Sequence, residues 1–183
     1  MILIVDMNWK KDSLAFNEFV QSIVNIVKPL EDCTVKHYME LRISELEMFS
    51  KIILSGNALK DSQVFEHIDK FSWIKTLNCP ILGVDTGMQI ISLVFGIPLM
   101  SCRQIGITEV QTVKDNPLFE GTFNVYTLHN YSVSPSETFD VMAQTGKCIQ
   151  AIKHKQKNIY GVLFHPEVRN SHVLEQFVVF KKM

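Results

Sequence analysis

The chain has no apolar run near the roughly 20 residues that a bilayer span requires. Its longest runs, such as "FGIPLM" and "GVLF", are far shorter, so no membrane is expected as a partner. A basic leader is also missing, because "MILIVDMN" opens as a strand rather than as the charged region of a secretory signal. Net charge is almost absent: 18 Lys+Arg face 19 Asp+Glu, leaving -1. That removes any general electrostatic reason to expect nucleic acid as a partner. Cysteine is sparse and scattered, at Cys33, Cys79, Cys102 and Cys148, with no C-x-x-C pair. This pattern argues against a disulfide framework or zinc site and favours reduced thiols in a cytoplasm. The six histidines form no H-x-x-x-H pair on a predicted helix, so no metal and no cofactor is expected.

What is present is ordinary for a globular chain: 183 residues, 46% apolar and 20% charged. That length predicts one domain over residues 1–183. The first half alternates apolar strand patterns with amphipathic segments. Strands are predicted at 2–6, 34–39, 51–56 and 80–84; helices at 12–27, 43–49, 62–77 and 86–96. Asp12 or Ser13 is placed to cap the first helix. Strands that are apolar throughout, each followed by a helix, predict an α/β fold with a mostly parallel central sheet covered on both faces. From Ile97 to Gly161 the pattern changes to short alternating runs, at 125–129, 139–145, 149–154 and 159–164, which read as a smaller antiparallel segment. A closing helix is predicted over 171–182.

In a parallel sheet, ligands bind at the carboxyl ends of the strands. Three segments deliver polar groups there. "ILSGNA" (53–58) ends a strand at Gly56 and Asn57. "GVDTG" (83–87) turns sharply from strand to helix at Asp85, with glycine on both sides. "GVLFHPEV" (161–168) ends in His165-Pro166-Glu167. The proline holds His165 extended, so alternation puts His165 and Glu167 on one side of the chain, where the carboxylate can orient the imidazole. An oriented histidine near an elbow, with backbone amides opposite, is the geometry of acyl transfer.

These same residues resemble a known family. "GVDTGMQ" is similar to the G-[IV]-C-x-G-[MH]-Q elbow of class I glutamine amidotransferases, "GVLFHPEV" to their G-x-Q-F-H-P-E-x segment, and "ILSGNA" to their S-G-G-P oxyanion loop. Within the family, "LHNYSV" and "AIKHKQKNIYGVLFHPEV" look most like the glutaminase subunit or domain of GMP synthase. The resemblance implies a flavodoxin-like fold, glutamine as ligand, and partnership with an ATP-dependent synthetase subunit. It also implies roles: His165 as general base and acid, Glu167 as its orienting partner, the amides of Gly56 and Thr86 as an oxyanion hole, and Gln89 holding substrate. The family's nucleophilic cysteine is replaced by Asp85. Asn57, Ala58 and Leu163 also depart from the pattern.

A carboxylate attacking an amide would have to form an anhydride and expel ammonia, so Asp85 is a poor substitute for a thiolate. An ionised Asp85 should also raise the pKa of His165 and repel a developing oxyanion. No other cysteine is placed to replace it. Read alone, Asp85 is a good helix N-cap, and Gln89 could bond only to solvent or backbone. Three functional readings follow. The first is an amidotransferase-like binding or regulatory protein without glutamine hydrolysis. The second is an active GMP synthase glutaminase subunit carrying an engineered Cys-to-Asp change. The third is a hydrolase acting on a non-amide substrate.

Overall fold

The structure, a computed structural model, describes residues 1–11, 13–146 and 148–179. A nine-stranded sheet runs through it in the order β2-β1-β3-β4-β9-β8-β7-β5-β6. β1 (Ile2–Asp6), β2 (Cys33–His37), β3 (Lys51–Leu54), β4 (Ile81–Val84) and β9 (Ile159–Val162) form its parallel half. β5 (Leu99–Thr112), β6 (Thr122–Val133), β7 (Phe139–Thr145) and β8 (Cys148–His154) continue it antiparallel. The α/β class, the parallel core and the antiparallel extension are those expected from the sequence.

The two-residue side-chain period of the strands divides the core. Leu3, Val5, Ile52, Leu54 and Ile81 face one layer, which α2 (Thr86–Val94) and the helical segment Gln63–Lys75 cover. Ile2, Ile4, Ile53, Leu82 and Val84 face the other, under α1 (Ser22–Val27) and α3 (His172–Val179). β1, β3, β4 and β9 are therefore buried on both sides, while the edge strand β2 is half-buried. Among the described residues no helix is long and apolar enough to cross a membrane.

Several elements differ from expectation for local reasons. The 62–77 segment has 3-10 rather than α geometry over Gln63–Lys75, with a kink at His67 (φ -121°, ψ 31°). Phe65, Ile68, Phe71 and Ile74 recur every three residues and pack on the same core layer, and that is the 3-10 repeat. The first helix opens with a π-helical turn, Phe16–Gln21, without a side-chain cap. Asp12 lies outside the described residues, and Ser13 Oγ has no partner. The strand predicted over 34–39 stops at His37, and a 3-10 turn (Tyr38–Glu40) buries Tyr38 against Phe71. The closing helix is described only as far as Val179.

The expectation of four reduced thiols is corrected. Cys102 and Cys148 are joined as a disulfide, with Cα atoms 6.1 Å apart, while Cys33 and Cys79 take no part in it. The two partners are 46 residues apart in sequence, and only the curl of the antiparallel strands brings them together.

Register sets the site. Leu54 pairs with Gly83, and Gly83 pairs with Gly161, so β3, β4 and β9 end level with one another. α2 then lies directly on this row. A Cβ on Gly83 would sit 2.4 Å from the Gly87 carbonyl carbon, and one on Gly87 would sit 2.6 Å from the Leu54 carbonyl oxygen. Both contacts are to backbone, which cannot yield without moving the helix. Gly87→Ala is expected to destabilise the protein by about 2–3 kcal/mol in urea unfolding. An unchanged midpoint would show that the helix does not depend on this approach.

Candidate functional site

The three sequence segments converge where β3, β4 and β9 end. Asp85 occupies the strand-to-helix turn with φ 46° and ψ -107°, a conformation that L-residues rarely adopt and that costs about 1–3 kcal/mol. It is held there by the close seat of α2 and by its own amide, which donates to the Val162 carbonyl at 2.8 Å. Strained strand-to-helix turns of this kind hold one side chain out over the strand ends.

The capping reading of Asp85 is corrected. Asp85 stands at the N-cap position, but its side chain makes no capping hydrogen bond. Its carboxylate turns toward His165 instead, with Oδ2 4.0 Å from His165 Nε2. The positive φ is what aims it away from the first-turn amides it would otherwise cap. Thr86 Oγ1 lies 3.1 Å from Asp85 Oδ2 and 2.6 Å from Asn57 Oδ1, so its one proton can serve either acceptor.

His165 is buried and fixed from several directions. Its amide donates to the Tyr126 carbonyl at 2.9 Å, and its Nδ1 meets Glu167 Oε1 at 2.8 Å. The rings of Phe19, from the π-helical turn, and Tyr126 flank it at 5.5 and 6.2 Å. The expected His165–Glu167 pairing is thus present in the geometry, and both side chains are almost completely enclosed, at 1% and 0% exposure. Gly56 closes the other side. A Cβ there would stand 3.0 Å from His165 Cε1 and 3.3 Å from Asp85 Cβ, so only glycine leaves room for both.

Gln89, on the first turn of α2, donates from Nε2 to the Tyr131 carbonyl at 2.9 Å. It bridges the helix to β6, and with Asn57, Asp85, Thr86, His129 and Tyr131 it lines a cleft of about 60 Å³. This is far below the roughly 300 Å³ at which small-molecule pockets begin, so a ligand the size of an amino acid requires the walls to part.

Sequence reasoning missed His129 and the linking role of Asn57. His129 lies inside "LHNYSV", a segment already singled out, but nothing in the segment says that the ring is buried. Asn57 registered only as a departure from the oxyanion-loop pattern. Its Oδ1 ties the loop to the elbow through Thr86, and its Nδ2 donates to the Asp61 carbonyl at 3.2 Å.

Charge is concentrated here. Burial pushes the Asp85 carboxyl up to about 6, against the opposing pull of His165 and the Thr86 hydrogen bonds. For His165, burial is the largest influence and by itself disfavours the charged ring. Glu167, through charge and hydrogen bond, together with Asp85 and the Leu128 carbonyl, outweighs it and raises the pKa to about 9. These values favour an imidazolium facing the Asp85 carboxylate at neutral pH. Asp85 Oδ1, His165 Nε2 and Glu167 Oε2 are buried without hydrogen-bond partners among the described residues. No cluster of three metal-ligating side chains occurs among the described residues.

The match to known proteins agrees with this geometry. The family model for class I glutamine amidotransferase covers residues 15–181. The chain belongs to the class I glutamine amidotransferase family. It is 38% identical over 163 residues to a subunit of the glutamine-hydrolyzing GMP synthase of Methanosphaera stadtmanae, spanning 85% of this chain and 88% of that one. It is 34% identical over 165 residues to the glutamine-hydrolyzing GMP synthase of Brachyspira hyodysenteriae, matching 83% of this chain but 31% of that longer protein. A GMP synthase subunit protein from Thermoplasma acidophilum shares the fold at a TM-score of 0.85, with 24% identity over 97% of this chain and 91% of its own. A glutamine amidotransferase from Thermotoga maritima shares it at 0.70, with 18% identity over 97% and 80%. As an amidotransferase-family chain it is thus GMP synthase glutaminase-like along nearly its whole length.

The buried charges make stability pH-dependent. A histidine whose folded pKa is about 9, against 6.5 unfolded, contributes stability that is fully present below 6.5 and lost as pH rises through 9. Unfolding free energy is expected to fall across that window, and Asp85→Asn should flatten the fall while lowering the His165 titration midpoint. Chemical denaturation from pH 6 to 9.5 with imidazole NMR measures both. A His165 midpoint below 6.5 would contradict the assignment.

Proposed function

We propose that this chain is a glutamine amidotransferase-like domain of the GMP synthase glutaminase type that does not hydrolyse glutamine and acts by binding or regulation. One observation carries the reading: Asp85 stands on the strained elbow, where the family places its nucleophilic cysteine, with its carboxylate facing the imidazole. In the family's reaction the histidine must accept a proton from the nucleophile, but an imidazolium has none of that basicity to offer. The expected oxyanion donor, the amide of Thr86, directly follows Asp85 and lies beside its carboxylate. That carboxylate would repel an oxyanion forming beside it. In this reading Asp85, His165 and Glu167 keep the positions of a catalytic group, and Gly56, Thr86 and Gln89 keep those of a substrate cradle.

The relatives' names supply glutamine and, through their designation as one subunit of the synthase, a separate synthetase as the ligand and partner to test. The alternative, an active glutaminase subunit bearing an engineered Cys-to-Asp change, predicts the same fold and a fully competent surround. The additional departures at Asn57, Ala58 and Leu163 favour natural divergence, because a designed change would touch one site.

Ammonia release distinguishes these readings. The unmodified chain is expected to release none above background from glutamine, with or without a synthetase. In the divergent reading Asp85→Cys restores little, because its surround has also changed. In the engineered reading Asp85→Cys restores turnover, and His165→Ala on that background then removes roughly 100-fold or more of it. Substantial ammonia from the unmodified chain would overturn the proposal.

A further inference from the structure

Outside the charged site, the most connected chemistry is at the Cys102–Cys148 disulfide. It joins β5 to β8, strands that are not neighbours in the sheet, since β7 lies between them. β5 pairs with β7 only through Gln111 and Thr112, at its far end. Its first half instead curls with β6 back over β8 and β9. There the strands hold each other through side chains: Ser132 Oγ donates to the Ile149 carbonyl at 2.9 Å, and Gln150 Nε2 donates to Gln104 Oε1 at 2.7 Å. Among the described residues the disulfide is the one covalent tie across this curl.

Cys102 also sits where the β5–β6 ladder breaks. Ser101 pairs with Tyr131 and Gln104 with His129, so two residues of β5 face Asn130 alone. The bulge turns the Cys102 carbonyl onto His129 Nδ1 at 2.9 Å. A carbonyl only accepts, so His129 carries its proton on Nδ1 and presents Nε2 to Gln150 Nε2, 3.4 Å away. Gln150 lies two residues beyond Cys148, and its carbonyl takes the Leu163 amide at 2.7 Å, two residues before His165. The wall of the cleft, from Leu128 to Tyr131, is therefore tied to both halves of the disulfide.

We propose that the Cys102–Cys148 disulfide is a reversible redox latch that holds the His129–Tyr131 wall closed over the Asp85–His165 cleft, and that its reduction by a dithiol opens the cleft. The attacking thiolate of the dithiol displaces one cysteine sulfur and forms a mixed disulfide. The dithiol's second thiolate then releases the other cysteine. Two electrons and two protons pass to Cys102 and Cys148, and the dithiol leaves as its own disulfide. Attack falls on the Cys102 sulfur, because Cys102 is half-buried whereas Cys148 is 1% exposed. The ligand-binding consequence rests on the reading of the cleft as a glutamine site; the structural consequence does not.

The test uses the full chain, oxidised and after treatment with dithiothreitol. Alkylation under denaturing conditions without reductant should label Cys33 and Cys79 alone, and labelling of all four cysteines would overturn the latch. Amide hydrogen exchange across residues 128–133 should quicken about tenfold or more on reduction, while β1, β3 and β4 remain unchanged. Equal exchange in the two forms would overturn it as well. Cys102→Ser should match the reduced form, and the reduced unmodified chain carries the same test if that variant does not fold. Calorimetric titration with L-glutamine should then show binding at least about tenfold tighter to the reduced protein. Equal affinity for both forms would overturn control of the cleft. If glutamine binds neither form while exchange still responds, the latch stands and the glutamine reading falls.

Discussion

The close seat of α2 on the ends of β3 and β4 governs the rest of this structure. Gly83 and Gly87 meet backbone where any other residue would place a Cβ. The helix can therefore start immediately after the strand, and the connecting residue must take up the whole change of direction. Asp85 does so at φ 46°. The strain is sustained because packing on both sides over-determines it. The direction of the Asp85 side chain, its distance from His165 and the loss of its capping function all follow from that backbone geometry.

The electrostatics follow in turn. Level strand ends place Asp85 between Gly56 and the His165–Glu167 pair, in a space that excludes water. In such surroundings a carboxylate beside an imidazole does not leave it neutral; it retains the ring as a cation. A cysteine at the same place would have drawn on the histidine as a base. Asp85, His165 and Glu167 form one buried polar group at the strand ends. Asp85 and His165 offset one another's burial there, although buried polar atoms without partners among the described residues remain.

The antiparallel strands contribute in a different way. They supply no charged residue to the group at Asp85, but they form the wall opposite it and decide how much space the cleft has. Ladders join β5 to β6 and β7 to β8, but β5 and β6 meet β8 through side chains and one disulfide. That wall is therefore joined to the parallel core by fewer backbone bonds than the core strands share with one another.

Much of this was legible in the sequence. Apolar strands alternating with amphipathic segments require a sheet buried on both faces, and glycine on both sides of Asp85 requires a tight strand-to-helix turn. The proline between His165 and Glu167 requires the two side chains to share a side. Each of these is a local rule that a few neighbouring residues express. The 3-10 geometry of Gln63–Lys75 was not read from the sequence, because its apolar spacing also suits an amphipathic α-helix until the layer it packs on is known. Tertiary structure alone decided where Asp85 points, that Thr86 and Asn57 join two loops, that His129 is buried at the cleft, and that Cys102 meets Cys148. Each is a contact between segments far apart in the chain. The distance between them is set by strand register and sheet curl, quantities that no short stretch of sequence contains.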